Sequence, residues 1–292
     1  MNSLVEKIKK SVDDSLENTS ILIKEIGTGN VLYKFCSDKK LVSASTIKVP
    51  IMLAVLDEVC KKKIDLNTKI LVNELDILAD TEVFENNGGY YSLFELVSWM
   101  IISSDNTATN VLLKYFGIDK INNYIRNVLE VENTYIERYM LDETAVKNGF
   151  NNYMTQNDMF RIFELLFQKV ILNEELCNLA IEILKNQRCQ NQLMRYICIP
   201  INFAHKTGVL DYLNHDVGVL CINNRMFYIG VSVYESKNIE GNKQLVGNIG
   251  RLVYEYLKEL NNFSVKKNTL KKHILISRKF MKITIADSTR DF

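Results

Sequence analysis

Three short motifs in the sequence carry residue types suited to nucleophilic catalysis. In the first, SASTIKVPIM, Ser45 and Lys48 stand three residues apart at the start of an apolar run. Residues three apart on a helix lie on one face, and serine becomes an effective nucleophile only beside a base. Lysine can be that base where apolar surroundings and neighbouring charge lower its pKa. The pair therefore predicts a serine nucleophile with a lysine base one turn away.

A helix cap is the alternative role for Ser45. Ser-x-x-Lys recurs at Ser37 and Lys40 and at Ser264 and Lys267, so the spacing alone is a weak signal. The first of these copies lies in a charged turn and the last in a basic tail. Only Ser45 is predicted to open a buried helix, whose N-terminus would also stabilise negative charge on an attacked carbonyl.

The second motif is Ser104, Asp105 and Asn106, where one helical segment ends and the next begins. An N-cap for the helix beginning near Asn106 is a structural role that fits one of the three. A chemical role is also open, in which Ser104 passes a proton to a leaving nitrogen and Asn106 holds a substrate amide.

The third motif, AHKTGVL, places Lys206, Thr207 and Gly208 on a predicted strand. An edge strand that carries a surface lysine is the structural alternative. In a catalytic role, Lys206 and Thr207 would bind a carboxylate. Gly208 would let the substrate backbone approach closely, and the Val209 N–H would help to form an oxyanion hole.

The elements that position these motifs follow from the hydrophobic pattern. The pattern predicts strands at 20–26 and 31–35 and again in FAHKTG, HDVGVLCI and MFYIGVSVY. It predicts helices at 4–16, 92–102, 106–116, 157–170, 173–184 and 242–257. Strands at both ends and helices in the middle predict a sheet built from both ends of the chain with an inserted helical lobe. Ligands usually bind in a cleft between two such lobes.

Together and in this order, the three motifs resemble those of class A β-lactamase-like serine hydrolases over residues 1–260, and MIISSDNTATNVLL is an especially close match. The resemblance implies an α/β fold of the α+β type, with a five-stranded antiparallel sheet flanked by helices, plus an all-α lobe. We expect residues 1–62 and 201–262 to form the α/β lobe of one catalytic domain. Residues 63–200 would form the all-α lobe, and 263–292 a basic C-terminal extension.

The resemblance also implies the chemistry, which is opening of a β-lactam amide through an acyl-enzyme on Ser45. Lys48 is then the base or proton relay, and Ser104 protonates the leaving nitrogen. The backbone N–H groups of Ser45 and Val209 form the oxyanion hole. The implied substrate-binding residues are Asn106, Lys206, Thr207, Gly208 and Val209.

The loop after Ser-Asp-Asn departs from the family pattern Arg-x-Glu…Asn. Arg138 fits the arginine, but Met140 replaces the glutamate that activates the deacylating water, and Thr144 replaces the asparagine. Asp142 is our preferred substitute acid. The alternative is that Asp142 pairs with Arg138 and only holds the loop. We expect ready acylation by β-lactams and slow deacylation, because losing a positioned base slows the step that it serves.

Three functions remain open at this point. One is a β-lactamase, with β-lactam catabolism and antibiotic resistance as its consequence. The second is an acyl-enzyme hydrolase of the D-alanyl peptidase or esterase type, and the third is a non-catalytic penicilloyl sensor. The missing glutamate favours the second and third, whereas the similarity around Ser-Asp-Asn favours the first. The lack of a visible export signal weighs against a role in the cell wall.

Other serine chemistry has less support. The sequence contains no G-x-S-x-G elbow, no P-loop and no G-x-G-x-x-G. His215 and Asp216 are adjacent on one predicted strand, so their side chains point to opposite faces and cannot form one relay. We interpret both as structural residues beside the Lys206 strand.

Composition excludes several classes of partner. The 292 residues are 47% hydrophobic and 24% charged, which is typical of a soluble globular enzyme. The net charge of +1 favours neither nucleic acid nor an anionic membrane. No signal peptide and no apolar stretch of about 18 residues is visible. From this sequence we therefore expect a cytoplasmic protein, although family members are often exported. We also expect a monomer. Six scattered cysteines predict reduced core thiols, and with three histidines we expect no metal and no cofactor.

Overall fold

The structure, a computed structural model, describes residues 3–12, 18–79, 81–84 and 88–260. The chain divides into two units, residues 1–251 and 252–292. In the second unit the described residues, 252–260, are helical. The C-terminal extension predicted at 263–292 lies outside the described residues.

The strands and helices of the first unit follow the predicted order. The strands are β1 Thr19–Glu25, β2 Val31–Phe35, β3 Leu41–Val42, β4 Lys69–Val72, β5 Gly89–Ser92, β6 Tyr153–Met154, β7 Asn202–Leu210, β8 Leu213–Ile222 and β9 Arg225–Val233. The helices are α1 Leu4–Val12, α2 Lys48–Cys60, α3 Leu93–Ile102, α4 Asn106–Phe116, α5 Ile118–Asn127, α6 Glu143–Lys147, α7 Gln156–Phe167 and α8 Glu174–Lys185, followed by α9, which begins at 239.

The main sheet combines both ends of the chain, as predicted. Its five strands lie in the order β2-β1-β9-β8-β7, and every neighbouring pair is antiparallel. Two-residue turns join the last three strands. Asn223 and Asn224, which connect β8 to β9, both have positive φ, the backbone shape that suits a tight hairpin and that asparagine tolerates. These short turns fix the register of β7 on β8, with Lys206 opposite Val217 and Gly208 opposite His215.

The hydrophobic core lies between this sheet and the helices. Almost every side chain of α2 is buried, and the same core contains residues from α3, α4, α7 and α8 together with Val217 and Tyr228 of the sheet. Burial of this kind is what anchors α2, because apolar area removed from water is the main stabilising contribution to a fold. The stretch predicted as an all-α lobe also contains three short strands, β4, β5 and β6. The division into lobes stays a prediction.

All six cysteines are free thiols. The prediction that they lie in the core was wrong for Cys36, Cys189 and Cys198, which are exposed, whereas Cys177 is buried. Within the described ranges, every helix is too short or too polar to cross a bilayer. The same residues contain no group of three or more His, Cys, Asp or Glu side chains placed to bind a metal ion.

Candidate active site

Ser45 lies in a 3-10 turn, Ala44–Ile47, that leads directly into α2. The backbone N–H of Lys48, the first residue of α2, donates to the carbonyl oxygen of Ser45. The N-cap of α2 is Ile47, so Ser45 does not occupy the capping position. Ala44 has a φ of +44°, a left-handed conformation that is costly for a residue with a β-carbon and that clusters at functional sites.

Lys48 is fully buried and is held by the Ser-Asp-Asn turn. Its Nζ donates to the carbonyl oxygen of Ser104 at 2.6 Å and to Oδ1 of Asn106 at 2.8 Å. Both partners are pure acceptors. A neutral amine has two hydrogens to donate and one lone pair with which to accept a proton, so these two bonds are compatible with Lys48 acting as a base.

Lys206 reaches the same serine from the sheet. Its Nζ lies 3.0 Å from Oγ of Ser104 and 3.0 Å from the carbonyl oxygen of Thr207. Nζ of Lys48 lies 3.3 Å from the same Ser104 Oγ, so this hydroxyl stands between two amines. Lys206 is fully buried, and burial lowers its pKa from 10.5 to about 8. Three groups that can exchange protons are therefore in hydrogen-bond contact, although Ser104 and Lys206 are far apart in sequence.

The three residues of the Ser-Asp-Asn motif differ in their contacts. Ser104 has a φ of +57°, and this left-handed turn between α3 and α4 directs its hydroxyl to the two lysines. Asp105 is the N-cap of α4, with Oδ1 accepting from the Ala108 N–H at 2.7 Å and Oδ2 accepting from the Thr81 hydroxyl at 2.5 Å. The predicted cap is thus the middle residue, and the outer two face the lysines.

The edge strand β7 passes close to the Ser45 turn because Gly208 has no side chain. A β-carbon at Gly208 would lie 3.1 Å from the Ala44 β-carbon and 3.2 Å from the Ser45 nitrogen. The next residue, Val209, is exposed and lines the same pocket as Ser45. Thr207 is buried, and it contributes its carbonyl oxygen to Lys206.

The loop between α5 and β6 carries the residue that departs from the family pattern. Met140 is almost fully buried and lines the pocket. The side chain of Asn110, on α4, holds its backbone from both sides. Oδ1 accepts from the Met140 N–H at 2.7 Å, and Nδ2 donates to the Met140 carbonyl at 3.1 Å. Sequence reasoning missed Asn110, although it stands four residues after Asn106 on one helix and so shares its face.

Asp142 and Arg138, both in this loop, do not form an ion pair with each other. Asp142 is the N-cap of α6, and its Oδ1 accepts from the Ala145 N–H at 2.8 Å. Nε of Arg138 donates to Oδ1 of Asn151 at 2.9 Å, and Nη1 donates to the Tyr139 carbonyl at 2.9 Å. The alternative in which Asp142 holds the loop through an ion pair with Arg138 is therefore wrong, since Asp142 holds it as a helix cap.

A cavity of about 560 Å³ opens above Ser45. It is lined by Ser45 and Asn106, by the turn from Val209 to Tyr212, and by the loop that carries Arg138 and Met140. Asp142 also lines this cavity. The cavity is large enough for a small-molecule ligand. Asn106 connects it to the two lysines and Ser104, because Asn106 lines the cavity and its Oδ1 accepts from Lys48.

His215 and Asp216 have the structural roles that strand geometry predicts. Nε2 of His215 lies 2.8 Å from the Val42 carbonyl, just before the Ser45 turn. Burial lowers the pKa of His215 to about 4, so the ring is neutral at physiological pH and donates this hydrogen bond. On the opposite face, Asp216 contacts Nδ1 of His205 at 2.8 Å and accepts from the Leu193 N–H at 3.0 Å.

The structure thus brings Lys48, Ser104, Asn106 and Lys206 into one hydrogen-bonded group. Ser45, Val209 and Asp142 line the cavity beside it. Their catalytic roles stay predictions.

Comparison with known proteins places this arrangement in a family. The model of the β-lactamase enzyme family matches residues 3–257. A β-lactamase of Bacteroides uniformis is 25% identical over 237 residues, which are 73% of this chain and 78% of that protein. The TLA-3 extended-spectrum β-lactamase shares the fold with a TM-score of 0.80 at 22% identity, covering 87% of this chain and 98% of the other.

PBP-A also shares the fold, with a TM-score of 0.77 at 22% identity over 88% of this chain and 96% of its own. A variant of PBP-A was solved as an acyl-enzyme complex with penicillin G. These likenesses confirm the α+β architecture that the family resemblance implies. The match over residues 3–257 shows that the chain belongs to the β-lactamase enzyme family and is a hydrolase of the β-lactamase type.

Proposed function

We propose that the protein opens the amide bond of β-lactams through an acyl-enzyme on Ser45. The observation that carries this proposal is the contact of Ser104 Oγ with the two buried lysines, at 3.3 Å from Lys48 and 3.0 Å from Lys206. Such a chain supplies both a base for the nucleophile and an acid for the leaving group. An acyl-enzyme with penicillin G, seen in a PBP-A variant, shows that this fold supports the chemistry in a relative.

The proposed acylation proceeds in two proton transfers. Ser45 Oγ attacks the lactam carbonyl carbon while its proton passes to the neutral amine of Lys48. The Ser45 and Val209 N–H groups stabilise the oxyanion of the tetrahedral intermediate. When the carbon–nitrogen bond breaks, Ser104 gives its proton to the leaving nitrogen and recovers one from Lys48. An ester on Ser45 and a free amine are the products.

Deacylation is proposed to be the slow step. A water molecule must be deprotonated as it attacks the ester, and the loop presents a thioether at Met140, which cannot accept a proton. Loss of a positioned base costs about 10²–10⁴-fold in the step that it serves. Asp142 lines the cavity and is the proposed substitute base. It would have to loosen the cap of α6, because its Oδ1 is bound to the Ala145 N–H.

Slow turnover keeps a peptidase-like enzyme and a penicilloyl sensor as candidates, since both are acylated and then stall. Incubation with a chromogenic cephalosporin, followed by intact-mass spectrometry over time, separates them. A transient adduct on Ser45 with coloured product supports a β-lactamase. A lasting adduct supports a stalled acyl-enzyme. Fast steady turnover with no burst would contradict slow deacylation. We further propose a monomer, which light scattering tests.

The proposed role of Lys206 predicts a pH dependence. A protonated Lys206 attracts the carboxylate of a β-lactam, and its pKa is about 8 in the free protein. The charge is therefore present below pH 8 and is lost as the pH rises through that value. We expect the acylation efficiency, measured as kcat/KM or its single-turnover equivalent, to fall above pH 8 through weaker binding. Lys206→Arg, which stays charged, should remove this fall; a wild-type profile that is flat to pH 10 would contradict the role.

Gly208 provides a geometric test of the oxyanion hole. Gly208→Ala places a methyl group within 3.2 Å of the Ser45 nitrogen, so β7 or the turn must shift by a few tenths of an ångström. We expect acylation to slow by about tenfold or more, with little loss of thermal stability. Gly89→Ala is the matched control, because its β-carbon meets only ordinary contacts of 3.5 Å and longer. Equal acylation rates in the two variants would count against the proposed geometry.

A further inference from the structure

We propose that Arg138 forms a subsite for an anionic group on the acyl side chain of the substrate. The inference rests on the function proposed above and concerns which β-lactams the cavity accepts. It follows from the position of Arg138 on the cavity wall, from the neutral groups that hold it, and from the charges around it.

The two ends of the cavity are expected to take different parts of a β-lactam. In these molecules the ring carboxylate and the acyl side chain lie on opposite sides of the lactam amide. If Lys206 attracts the ring carboxylate, the side chain must extend the other way, past Asn106. We place the side chain against the loop that carries Arg138 and Met140, both of which line the cavity.

The guanidinium of Arg138 is held only by neutral acceptors. Nε donates to the side-chain oxygen of Asn151 and Nη1 donates to the Tyr139 carbonyl. The backbone of Arg138 is fixed as well, because its N–H donates to Oδ1 of Asn152 at 3.1 Å and its carbonyl accepts from Nδ2 at 3.2 Å. Within the described part of the chain, no carboxylate forms an ion pair with Arg138, and Nη2 makes no hydrogen bond.

A charge in this position favours an incoming anion. Burial lowers the pKa of Arg138 below its usual value, although arginine stays protonated at neutral pH. A partly desolvated cation without an ion pair is stabilised when a carboxylate reaches it, and guanidinium can bind a carboxylate through two parallel hydrogen bonds. The surroundings hold the side chain in place, so little conformational freedom is lost on binding.

The acidic residues of the cavity compete only weakly for Arg138. Glu143 is exposed and lies 3.8 Å from Lys147, which is also exposed. Asp211 is exposed to solvent, where its field is screened. Asp142 acts on Arg138 electrostatically, but its Oδ1 is bound to the backbone as the α6 cap. If the negative charge of these acids outweighed the positive charge of Arg138, the cavity would prefer a substrate with an amine on its acyl side chain.

Three penicillins with the same ring system test the proposal. Carbenicillin carries a carboxylate on its side chain, ampicillin an amine, and benzylpenicillin neither. The measurement is the second-order rate constant of acylation, followed by intact mass, with each value divided by that for benzylpenicillin with the same protein. We expect carbenicillin to be favoured over ampicillin by wild type. Arg138→Gln should lower the carbenicillin ratio by about tenfold or more, the effect of one lost charge-assisted pair.

Arg126→Gln is the matched control, since Arg126 is an exposed residue of α5, and it should leave the carbenicillin ratio unchanged. If Arg138→Gln does not fold, the wild-type ratio is measured between low and high salt, and it should fall as ionic strength rises. A salt-independent ratio, a ratio equal in wild type and Arg138→Gln, or a preference for ampicillin would overturn the subsite. Absence of an adduct with all three penicillins would instead overturn the proposed function.

Discussion

Replacing Ser45 by alanine will abolish the covalent adduct with β-lactams. The substitution removes the only oxygen that the proposed mechanism acylates. Hydrolysis should fall on the order of 10⁶-fold, as it does when a serine hydrolase loses its nucleophile. The measurement is intact-mass spectrometry after incubation with benzylpenicillin, combined with hydrolysis of a chromogenic cephalosporin.

The chain contains its own control for this experiment. Ser37 also precedes a lysine, Lys40, by three residues, but it lies in the segment after β2 and has no place in the cavity lining. Ser37→Ala should therefore keep the adduct. Thermal melting of both variants should show that each is folded, because a serine-to-alanine change removes one oxygen and creates no clash. An adduct on the Ser45→Ala variant, or turnover like that of wild type, would refute the proposed nucleophile.

Much of the fold was predictable because its signals are local. Short β-prone stretches joined by turn signals marked β1, β8 and β9, and three- and four-residue periodicity marked α3, α4, α7 and α8. Each of these patterns can be read within a dozen residues. The prediction of one sheet built from both chain ends was correct, since β1 pairs with β9.

The two-residue strands β3 and β6 could not be predicted from local hydrophobic patterns. β3 and β6 are two residues long and pair over more than a hundred residues of sequence. No period can be read from two residues, and only the packed structure determines their register. Similarly, the sequence places Ser45 at the start of a buried helix, whereas the structure interposes a 3-10 turn before α2 begins at Lys48.

The residues of the candidate site divide in the same way. Ser45, Lys48, Ser104 and Lys206 were found because each belongs to a short motif with a chemical reason for its spacing. Asn110 and the surroundings of Arg138 were not, because their meaning depends on contacts across the fold. Asn110 bonds to Met140, 30 positions away. An isolated asparagine on a helix gives no sign of such a partner.

Replacing Met140 by glutamate should convert slow deacylation into turnover, and it is the second large effect that we expect. Asn110 fixes the backbone of residue 140 through its N–H and its carbonyl, so the side chain of this residue starts from a determined position on the cavity wall. A carboxylate there can take a proton from the attacking water. We expect the acyl-enzyme to decay about 10²–10⁴-fold faster, measured by the loss of the intact-mass adduct after excess antibiotic is removed.

The uncharged isostere separates catalysis from packing. Met140→Gln introduces a polar side chain of almost the same size as Met140→Glu but no basic oxygen pair, so its adduct should persist as in wild type. Both variants should lose some stability, because Met140 is only 7% exposed and belongs to the hydrophobic core, where an incompletely hydrogen-bonded polar group costs about 1–3 kcal/mol. If Met140→Glu and Met140→Gln deacylate equally slowly while both remain folded, the slow step does not arise from the missing base.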